Sequence, residues 1–202
     1  VERQGPTFSM RELAKVVGVT HAAMYRHFVD KDALLDALSQ RGFEMLAGMQ
    51  KTYQAQADPD PLEQLNALLF AYLDFARDQP GYYAVMFRSR AVAGEGGPAH
   101  QIHNAEPLQT LHDAIRACQE AGLIIPGDIG LIAAYTTLAP HGLACFGMQG
   151  DRTKFLGLPA DADIPAQWLA DLILQPLLVR PKAVPDMVQL FDGTSGKPRS
   201  DM

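Results

Sequence analysis

The stretch from Ser9 to Leu35 constrains the fold more than any other part of the chain. Ser9 is followed three residues later by Glu12. At this spacing the hydroxyl and the carboxylate each satisfy a free backbone N–H group at the start of a helix, which is the capping-box arrangement. The pattern therefore predicts a helix that begins at Met10.

The first helix is predicted to be short. Leu13, Val16 and Val17 recur at the spacing of one buried helical face. Gly18 follows, and glycine is favoured just past a helix because it adopts positive φ without strain. We expect the helix to end there and Val19 to point inward.

A second short helix should follow the glycine turn, because Thr20 can cap the segment HAAMYRHF. A third helix is predicted to begin near Lys31. Two short helices joined by a glycine turn form the helix-turn-helix pattern, whose second helix enters the major groove of DNA. The predicted outer face of that helix carries His21, Ala22, Arg26 and His27.

The order GVTHAAMYRHFVDKDALL resembles the TetR family of transcriptional repressors in its Gly-Val turn, its Tyr-x-His-Phe helix end and its Lys followed by an apolar pair. The resemblance covers about Thr7 to Leu38, and the rest of the chain agrees in length and helical character. Family members normally have a full helix before this point, whereas only VERQ precedes Gly5. We therefore expect the N-terminus to be truncated and DNA-contacting basic residues to be missing.

The resemblance implies which residues contact DNA. Base edges would be met by His21, Ala22, Tyr25 and Arg26, with Arg11 reaching in from the preceding helix. Arg26 suits guanine and Ala22 suits a thymine methyl group. Phosphates would be bound by Tyr25, His27 and Lys31, with Ser9 and Thr20 as hydroxyl donors. The alternative is that these residues form an ordinary solvated polar face.

Charge is distributed unevenly along the chain. The 202 residues carry a net charge of −6, yet residues 1–41 carry +1 and the remainder carries −7. A helix-turn-helix unit so close to neutral should make few phosphate contacts, and dimerisation would double them.

Apolar residues make up 48% of the chain, and no apolar run is long enough to span a bilayer. With two cysteines and no secretory signal, a cytoplasmic protein without a membrane partner is expected.

The rest of the chain reads as a succession of helices separated by proline and glycine, with no convincing strand and no internal repeat. Further helices are predicted from Lys31 to Tyr53, Leu62 to Ala76, Leu108 to Cys118, Asp128 to Met148 and Ala166 to Val179. A short helix is also predicted in YYAVMFRSR, and AVAGEGGPA is predicted to be a flexible connection.

These helices predict an all-α protein in which a helix-turn-helix domain precedes a helical bundle. The expected domains are residues 1–45 for DNA binding, 46–180 for effector binding and dimerisation, and 181–202 as a weakly anchored tail. In the family, the two final long helices pair with those of a second subunit. The matching segments here, Asp128 to Met148 and Ala166 to Val179, are more apolar than a half-exposed helix requires. The alternative is that both belong to a core within one chain.

An effector pocket between the helices would combine an apolar body with a few polar tips. The residues that could line it are Tyr72, Phe75, Tyr82, Tyr83, Met86, Phe87, His112, Tyr135, His141 and Phe146. All except Tyr83 and Phe146 form the predicted ligand-binding set. His141 is the best polar candidate, because LAPHGLACF resembles a His-Gly helix motif of some regulatory domains in the family and Pro140 should kink that helix. Plain core packing is the alternative for each residue.

Two other functional classes leave weaker signals. His100 and His103 could share a helical face and bind a metal with His112, Cys118 or Cys145, although a second spaced pair is absent. No Gly-x-Ser-x-Gly or His-Glu-x-x-His motif points to an enzyme. The sequence therefore predicts a non-enzymatic TetR-like repressor without a cofactor, a homodimer that binds a palindromic operator and is released by a small molecule. A metal-responsive helix-turn-helix regulator is the alternative, and a helical enzyme is a more distant one.

Overall fold

The computed structural model describes residues 8–87, 106–147 and 166–180. The predicted connection AVAGEGGPA and the tail after Pro181 lie outside these residues. Within them the regular elements are helices, with one isolated antiparallel bridge between Ile124 and Leu178. The all-α prediction is confirmed. The helices are α1 (Met10–Val17), α2 (His21–His27), α3 (Lys31–Gln56), α4 (Pro61–Asp78), α5 (Pro80–Met86), α6 (Glu106–Glu120), α7 (Ile129–Gly147) and α8 (Ala166–Leu174), followed by a 3₁₀ turn (Gln175–Leu177).

The bounds of α1 and α2 follow from local caps. The Ser9 hydroxyl accepts the Glu12 backbone N–H at 3.2 Å, and the Ser9 backbone N–H donates to the Glu12 carboxylate at 2.8 Å, which completes the capping box. Gly18 ends α1 with φ at +78°. Thr20 then caps α2 by accepting the Ala23 backbone N–H at 3.1 Å. The predicted helix-turn-helix is confirmed.

The prediction for the buried face of α1 is confirmed for Leu13, which is partly buried against the core, and is wrong for the valines. Val16 and Val17 are 83% and 60% exposed, and Val19 is also exposed rather than inward-facing. The helix packs through Met10 and Ala14 instead, which are one turn apart. Because Val16 lies two residues beyond Ala14, it points about 200° away around the helix.

The helix-turn-helix unit, residues 8–38, has its own small core. We call this group the helix-turn-helix core: Phe8, Met10, Ala14, Met24, Leu34, Leu35 and Val85. Six of its members come from the unit itself. Val85 comes from α5, so a later helix completes the core on which α1 and α2 pack.

The long helix α3 links the helix-turn-helix unit to the rest of the molecule. Its 26 residues run without interruption through Gly42 and Gly48, and at 1.5 Å per residue it is about 39 Å long. The predicted domain boundary at residue 45 falls inside this helix and stays a prediction. Gly42 is buried against α5, where an added Cβ would lie 2.5 Å from the Met86 Sδ. The missing side chain therefore permits close approach of α3 and α5.

Proline sets several of the remaining boundaries. The Asp60 carboxylate accepts the Leu62 backbone N–H at 2.9 Å, and Pro61 occupies the first position of α4, where its missing N–H costs nothing. Pro80 was predicted to end the helix before it, and it also begins α5. The last helix is shorter than predicted, because Pro176 cannot donate the hydrogen bond that would continue it.

Two further cores lie beyond the unit. One joins α4, α6, α7 and α8 through residues such as Leu65, Ile115, Ile132 and Ile173. The other, which we call the aromatic cluster, contains Leu46, Tyr72, Phe75, Ala76, Tyr83 and Met86, with Phe43 and Phe87 packed against it. None of the described helices is long and apolar enough to cross a membrane.

Candidate functional site

The exposed face of α2 presents the residues that were predicted to read bases. Met24 is buried in the helix-turn-helix core and fixes which side of the short helix points outward. The predicted DNA-contacting residues that are exposed on α2 are His21, Ala22, Tyr25, Arg26 and His27. The rings of His21 and Tyr25 meet edge to face with their centroids 4.8 Å apart. The two rings therefore lie next to each other on the outer face of α2, with the edge of one against the face of the other.

The start of α1 lies in the same unit, and its polar groups are partly engaged with one another. The Ser9 hydroxyl donates to the Glu12 carboxylate at 2.8 Å, so a phosphate would compete with Glu12 for that proton. The Ser9 backbone N–H, and to a lesser extent the Ser9 hydroxyl, hold the pKa of the Glu12 carboxyl below its usual value. Arg11 is exposed beside them. Thr20 uses its oxygen to cap α2, which leaves its proton available to a phosphate oxygen.

Lys31 lies at the first position of α3, where a cation opposes the helix dipole. The adjacent Asp30 carboxylate caps the helix by accepting the Ala33 backbone N–H at 2.7 Å. The Lys31 ammonium lies over the ring of Phe8, 4.8 Å from its centroid. Sequence reasoning missed Phe8, whose only signal was a large apolar side chain directly before the Ser9 cap.

Three helices bring polar groups together in the aromatic cluster. Tyr72 of α4, Tyr83 of α5 and His141 of α7 meet at hydrogen-bonding distance. The Tyr83 Oη is 2.6 Å from the His141 Nδ1, the Tyr72 Oη is 3.0 Å from the same nitrogen, and the two hydroxyl oxygens are 2.9 Å apart. Burial lowers the pKa of His141, which favours the neutral imidazole.

Aromatic rings surround this polar group. The ring of Phe87 lies edge to face against His141 at 4.6 Å and contacts Tyr83 at 4.8 Å between centroids. Phe43 of α3 contacts Phe87 at 6.0 Å. A hydrogen-bonding centre with apolar walls is the composition expected of a small-molecule site.

The predicted ligand-binding residues divide into two groups. Tyr72, Phe75, Tyr82, Met86 and Phe87 belong to the aromatic cluster or pack against it, and His141 contacts its rings. His112 lies on α6 and Tyr135 on the exposed side of α7, and neither is part of the cluster. Their roles in ligand binding stay predictions.

Tyr83 is the residue that the predicted ligand-binding set left out. Tyr82 and Tyr83 are neighbours on α5 and point about 100° apart. Tyr83 is 2% exposed and bonded to His141, whereas Tyr82 is half-buried. The Tyr-Tyr pair was visible in the sequence, but only packing decided which phenol faced inward. The Phe146 side chain lies outside the described residues.

The metal-binding alternative receives no support. His100 and His103 lie outside the described residues, and in the part of the chain that the structure describes no three His, Cys, Asp or Glu side chains are grouped to hold a metal. Cys118 is buried, and its thiol lies 3.1 Å from the Pro61 carbonyl oxygen as a hydrogen-bond donor. Burial raises the pKa of this thiol to about 11, so the metal-binding thiolate is disfavoured.

Family comparison agrees with this geometry. A family model for bacterial regulatory proteins of the tetR family matches residues 2–38, which include α1 and α2. A second model, for a tetracyclin repressor-like C-terminal domain, matches residues 65–173, which is more than half of the chain.

Individual relatives are more distant. The HTH-type transcriptional regulator AcrR of Shigella flexneri is 27% identical over 127 residues, which cover 60% of this chain and 59% of AcrR. An uncharacterised HTH-type regulator of Mycobacterium tuberculosis is 32% identical over 146 residues, which cover 71% of this chain and 59% of the relative. The chain thus spans about 59% of the length of these curated relatives.

Solved structures share the fold. A protein of unknown function from Rhodococcus sp. RHA1 has 27% sequence identity and a TM-score of 0.65, and the match covers 85% of each chain. The TetR family transcriptional regulator PfmR from Thermus thermophilus has 19% identity and a TM-score of 0.62, covering 83% of this chain and 87% of PfmR.

Proposed function

The chain belongs to the TetR family of transcriptional regulators, and from this premise we propose that it is a repressor that a small-molecule effector releases from DNA. A homodimer binds a palindromic operator, and the site of action is the cytoplasm. The exposed polar face of α2 is the observation that carries the proposal. It offers His21, Tyr25 and Arg26 to base edges from a helix whose opposite side is anchored by Met24.

Phosphate contacts would hold this face in the major groove. Lys31, His27 and Thr20 are the proposed phosphate ligands from the helix ends around α2, with Ser9 and Tyr25 as further donors. Each contact carries little sequence information but fixes the register of α2 on the duplex. Because the unit is nearly neutral, two copies are needed for useful affinity.

A strip of apolar side chains on α7 supports the homodimer. Leu131, Tyr135 and Leu138 follow one another at spacings of four and three residues, so they share one helical face. Leu131 and Leu138 are 74% and 67% exposed, although both are large and apolar. Leu172 is exposed on the neighbouring α8. Pairing with the same strip of a second copy would remove this surface from water, which is the usual isologous solution.

The aromatic cluster is the proposed effector site. Its two phenols and the adjoining His141 imidazole supply hydrogen-bond donors and acceptors, and Phe87, Phe43 and Met86 supply apolar walls. The proposed ligand is an apolar or aromatic molecule with a hydrogen-bonding group that replaces part of the Tyr72–Tyr83–His141 network.

Two helices connect this site to the DNA-binding surface. In α3, Leu34 and Leu35 belong to the helix-turn-helix core while Leu46 belongs to the aromatic cluster. In α5, Val85 belongs to the first and Tyr83 to the second. An effector that alters the packing of Tyr83 would thereby move the base of the helix-turn-helix unit, and the spacing of the two recognition helices would no longer match the half-sites.

The proposal is tested by selecting bound duplexes from a random-sequence DNA pool. We expect an inverted repeat with half-site centres one helical turn or a multiple of it apart, roughly 34 Å per turn. Leu138→Glu should give monomers in sedimentation and lose this selection, because two charges would face each other in the dimer interface. Val16→Glu, at an exposed valine outside α7, is the control for sedimentation.

Enrichment of no sequence by a dimeric wild-type protein would contradict the regulator proposal. A ligand found to release operator should also bind the operator-bound protein more weakly, by the factor with which it lowers operator affinity. Calorimetric titration with and without operator measures that factor, and equal ligand affinity in the two titrations would exclude coupling through α3 and α5.

A further inference from the structure

Phe8 contacts a predicted phosphate ligand although it is itself buried. Its ring is 6% exposed and belongs to the helix-turn-helix core with Met24 and Leu34. The Lys31 Nζ lies 4.8 Å from the centroid of that ring. The contact joins the residue just before the Ser9 cap to the first residue of α3, so it is not imposed by a single helix.

The physical character of the contact suits a group that must bind phosphate. The helix dipole disfavours an ammonium at the start of α3, and an attractive contact with Lys31 offsets part of that cost. The negative face of an aromatic ring attracts an ammonium without carrying a net charge. A carboxylate in the same place would also attract Lys31, but it would repel an approaching phosphate. The ring attracts the ammonium without placing a negative charge beside the approaching phosphate.

The burial of Phe8 also fixes the position of the ring that the Lys31 ammonium contacts. A lysine side chain has four rotatable bonds, and ordering them opposes binding. Because the ring is immobilised by its neighbours in the helix-turn-helix core, it offers Lys31 a fixed surface rather than a mobile one. The ammonium is then ordered before DNA arrives, which reduces the cost of ordering it in the complex.

We propose that Phe8 is a positioning residue for DNA binding, whose ring holds the Lys31 ammonium where a DNA phosphate meets the start of α3. The inference rests on the proposed function, since it requires that Lys31 bind a phosphate. Phe8 itself does not touch DNA.

The test measures the affinity of the full chain for a random-sequence duplex of about 30 base pairs, or three helical turns, at about 50 mM salt. This probe suffices because a phosphate contact does not depend on sequence. Phe8→Leu is measured in the wild-type background and in Lys31→Met, which keeps a long side chain without the charge. We expect Phe8→Leu to weaken binding roughly 2- to 10-fold when Lys31 is present and to have no effect in Lys31→Met.

A second series removes the concern that Phe8→Leu disturbs the core. Site-specific incorporation of 4-fluoro- and 3,4,5-trifluorophenylalanine at position 8 weakens the negative face of the ring with little change of shape. Affinity should fall stepwise with fluorination, and only when Lys31 is present. Met10→Leu, at a member of the same core that lacks the ring contact, is the matched control and should have equal effects in both backgrounds.

The possible failures are distinguishable. A wild-type protein that does not bind the duplex would overturn the proposed function together with the inference. Wild-type binding that Lys31→Met leaves unchanged would overturn the role of Lys31 and, with it, that of Phe8. Equal losses from Phe8→Leu in both backgrounds, or no response to fluorination, would overturn the positioning role alone.

Discussion

The helix-turn-helix unit and the aromatic cluster place their candidate functional side chains in opposite environments. On α2, Arg26 and His21 are exposed, while the packing beneath them is done by Met24 and its apolar neighbours. In the aromatic cluster, Tyr83 is 2% exposed and Met86 is 0% exposed. Candidate ligand residues there are also core residues.

In the helix-turn-helix unit, the side chains proposed to bind DNA differ from those that stabilise the fold. In the aromatic cluster, the same side chains are proposed to do both. An exposed side chain that reads DNA has few contacts in the free protein, so its loss should change binding without changing folding. A side chain of the aromatic cluster cannot be altered without disturbing the packing between α3, α4, α5 and α7. The proposed effector would therefore displace these helices, because any change that repacks the cluster also moves the helices that form it.

The largest expected effect tests separability at the DNA-binding surface. Arg26→Ala should cost roughly 1–3 kcal/mol at each of two half-sites and relax the preference at one base pair. Lys31→Ala should instead weaken binding to all sequences about equally and flatten the salt dependence. Binding profiles from the random-sequence pool and thermal unfolding measure both properties. A fall in unfolding temperature for Arg26→Ala would contradict the separation of DNA binding from stability in this unit. An unaltered DNA-binding profile would remove Arg26 from the base-reading set.

A pair of glycines in α3 tests the tightness of the aromatic cluster. A Cβ at Gly42 would collide with the Met86 side chain, whereas a Cβ at Gly48 meets nothing within 4 Å. Overpacking costs about 1–3 kcal/mol, while replacing a helical glycine by alanine gains up to about 1 kcal/mol. Gly42→Ala should therefore lower the free energy of unfolding and Gly48→Ala should raise it, as measured by urea denaturation. Equal shifts in the two variants would indicate that Met86 moves aside and that the cluster is loosely packed.

The smallest effect is a dependence of stability on pH. Burial lowers the pKa of His141 from its ordinary value of 6.5. Below that value the unfolded chain binds a proton at His141 that the folded protein does not bind. The contribution of His141 to the free energy of unfolding is therefore complete above about pH 6.5 and falls as pH drops toward the lowered pKa. His141→Gln should remove this part of the acid-side loss. Urea denaturation of both proteins between about pH 8 and pH 5 measures it, and parallel curves would show that His141 titrates alike in both states.

Much of the helix-turn-helix unit was predictable because its determinants are local. Ser9 and Glu12 cap α1 across three residues, Gly18 ends it, and Thr20 caps α2 in the same way. Asp60 does likewise for α4. Such bonds form between neighbours in the chain whatever the rest of the molecule does, so residue type and spacing suffice to place them.

By itself, then, the sequence determined the all-α class and most boundaries of the described helices, and its choice of DNA-contacting residues stays a prediction. Only the tertiary structure decided that Val16 faces outward, that Tyr83 rather than Tyr82 faces inward, and that Tyr83 meets His141, which lies 58 positions further along the chain. The physical reason is that a helix has several faces with apolar residues, and which one is buried depends on the direction from which other helices approach. The contact of the Lys31 ammonium with the Phe8 ring was likewise decided by the tertiary structure, because the two residues lie on different elements and meet only after both have packed.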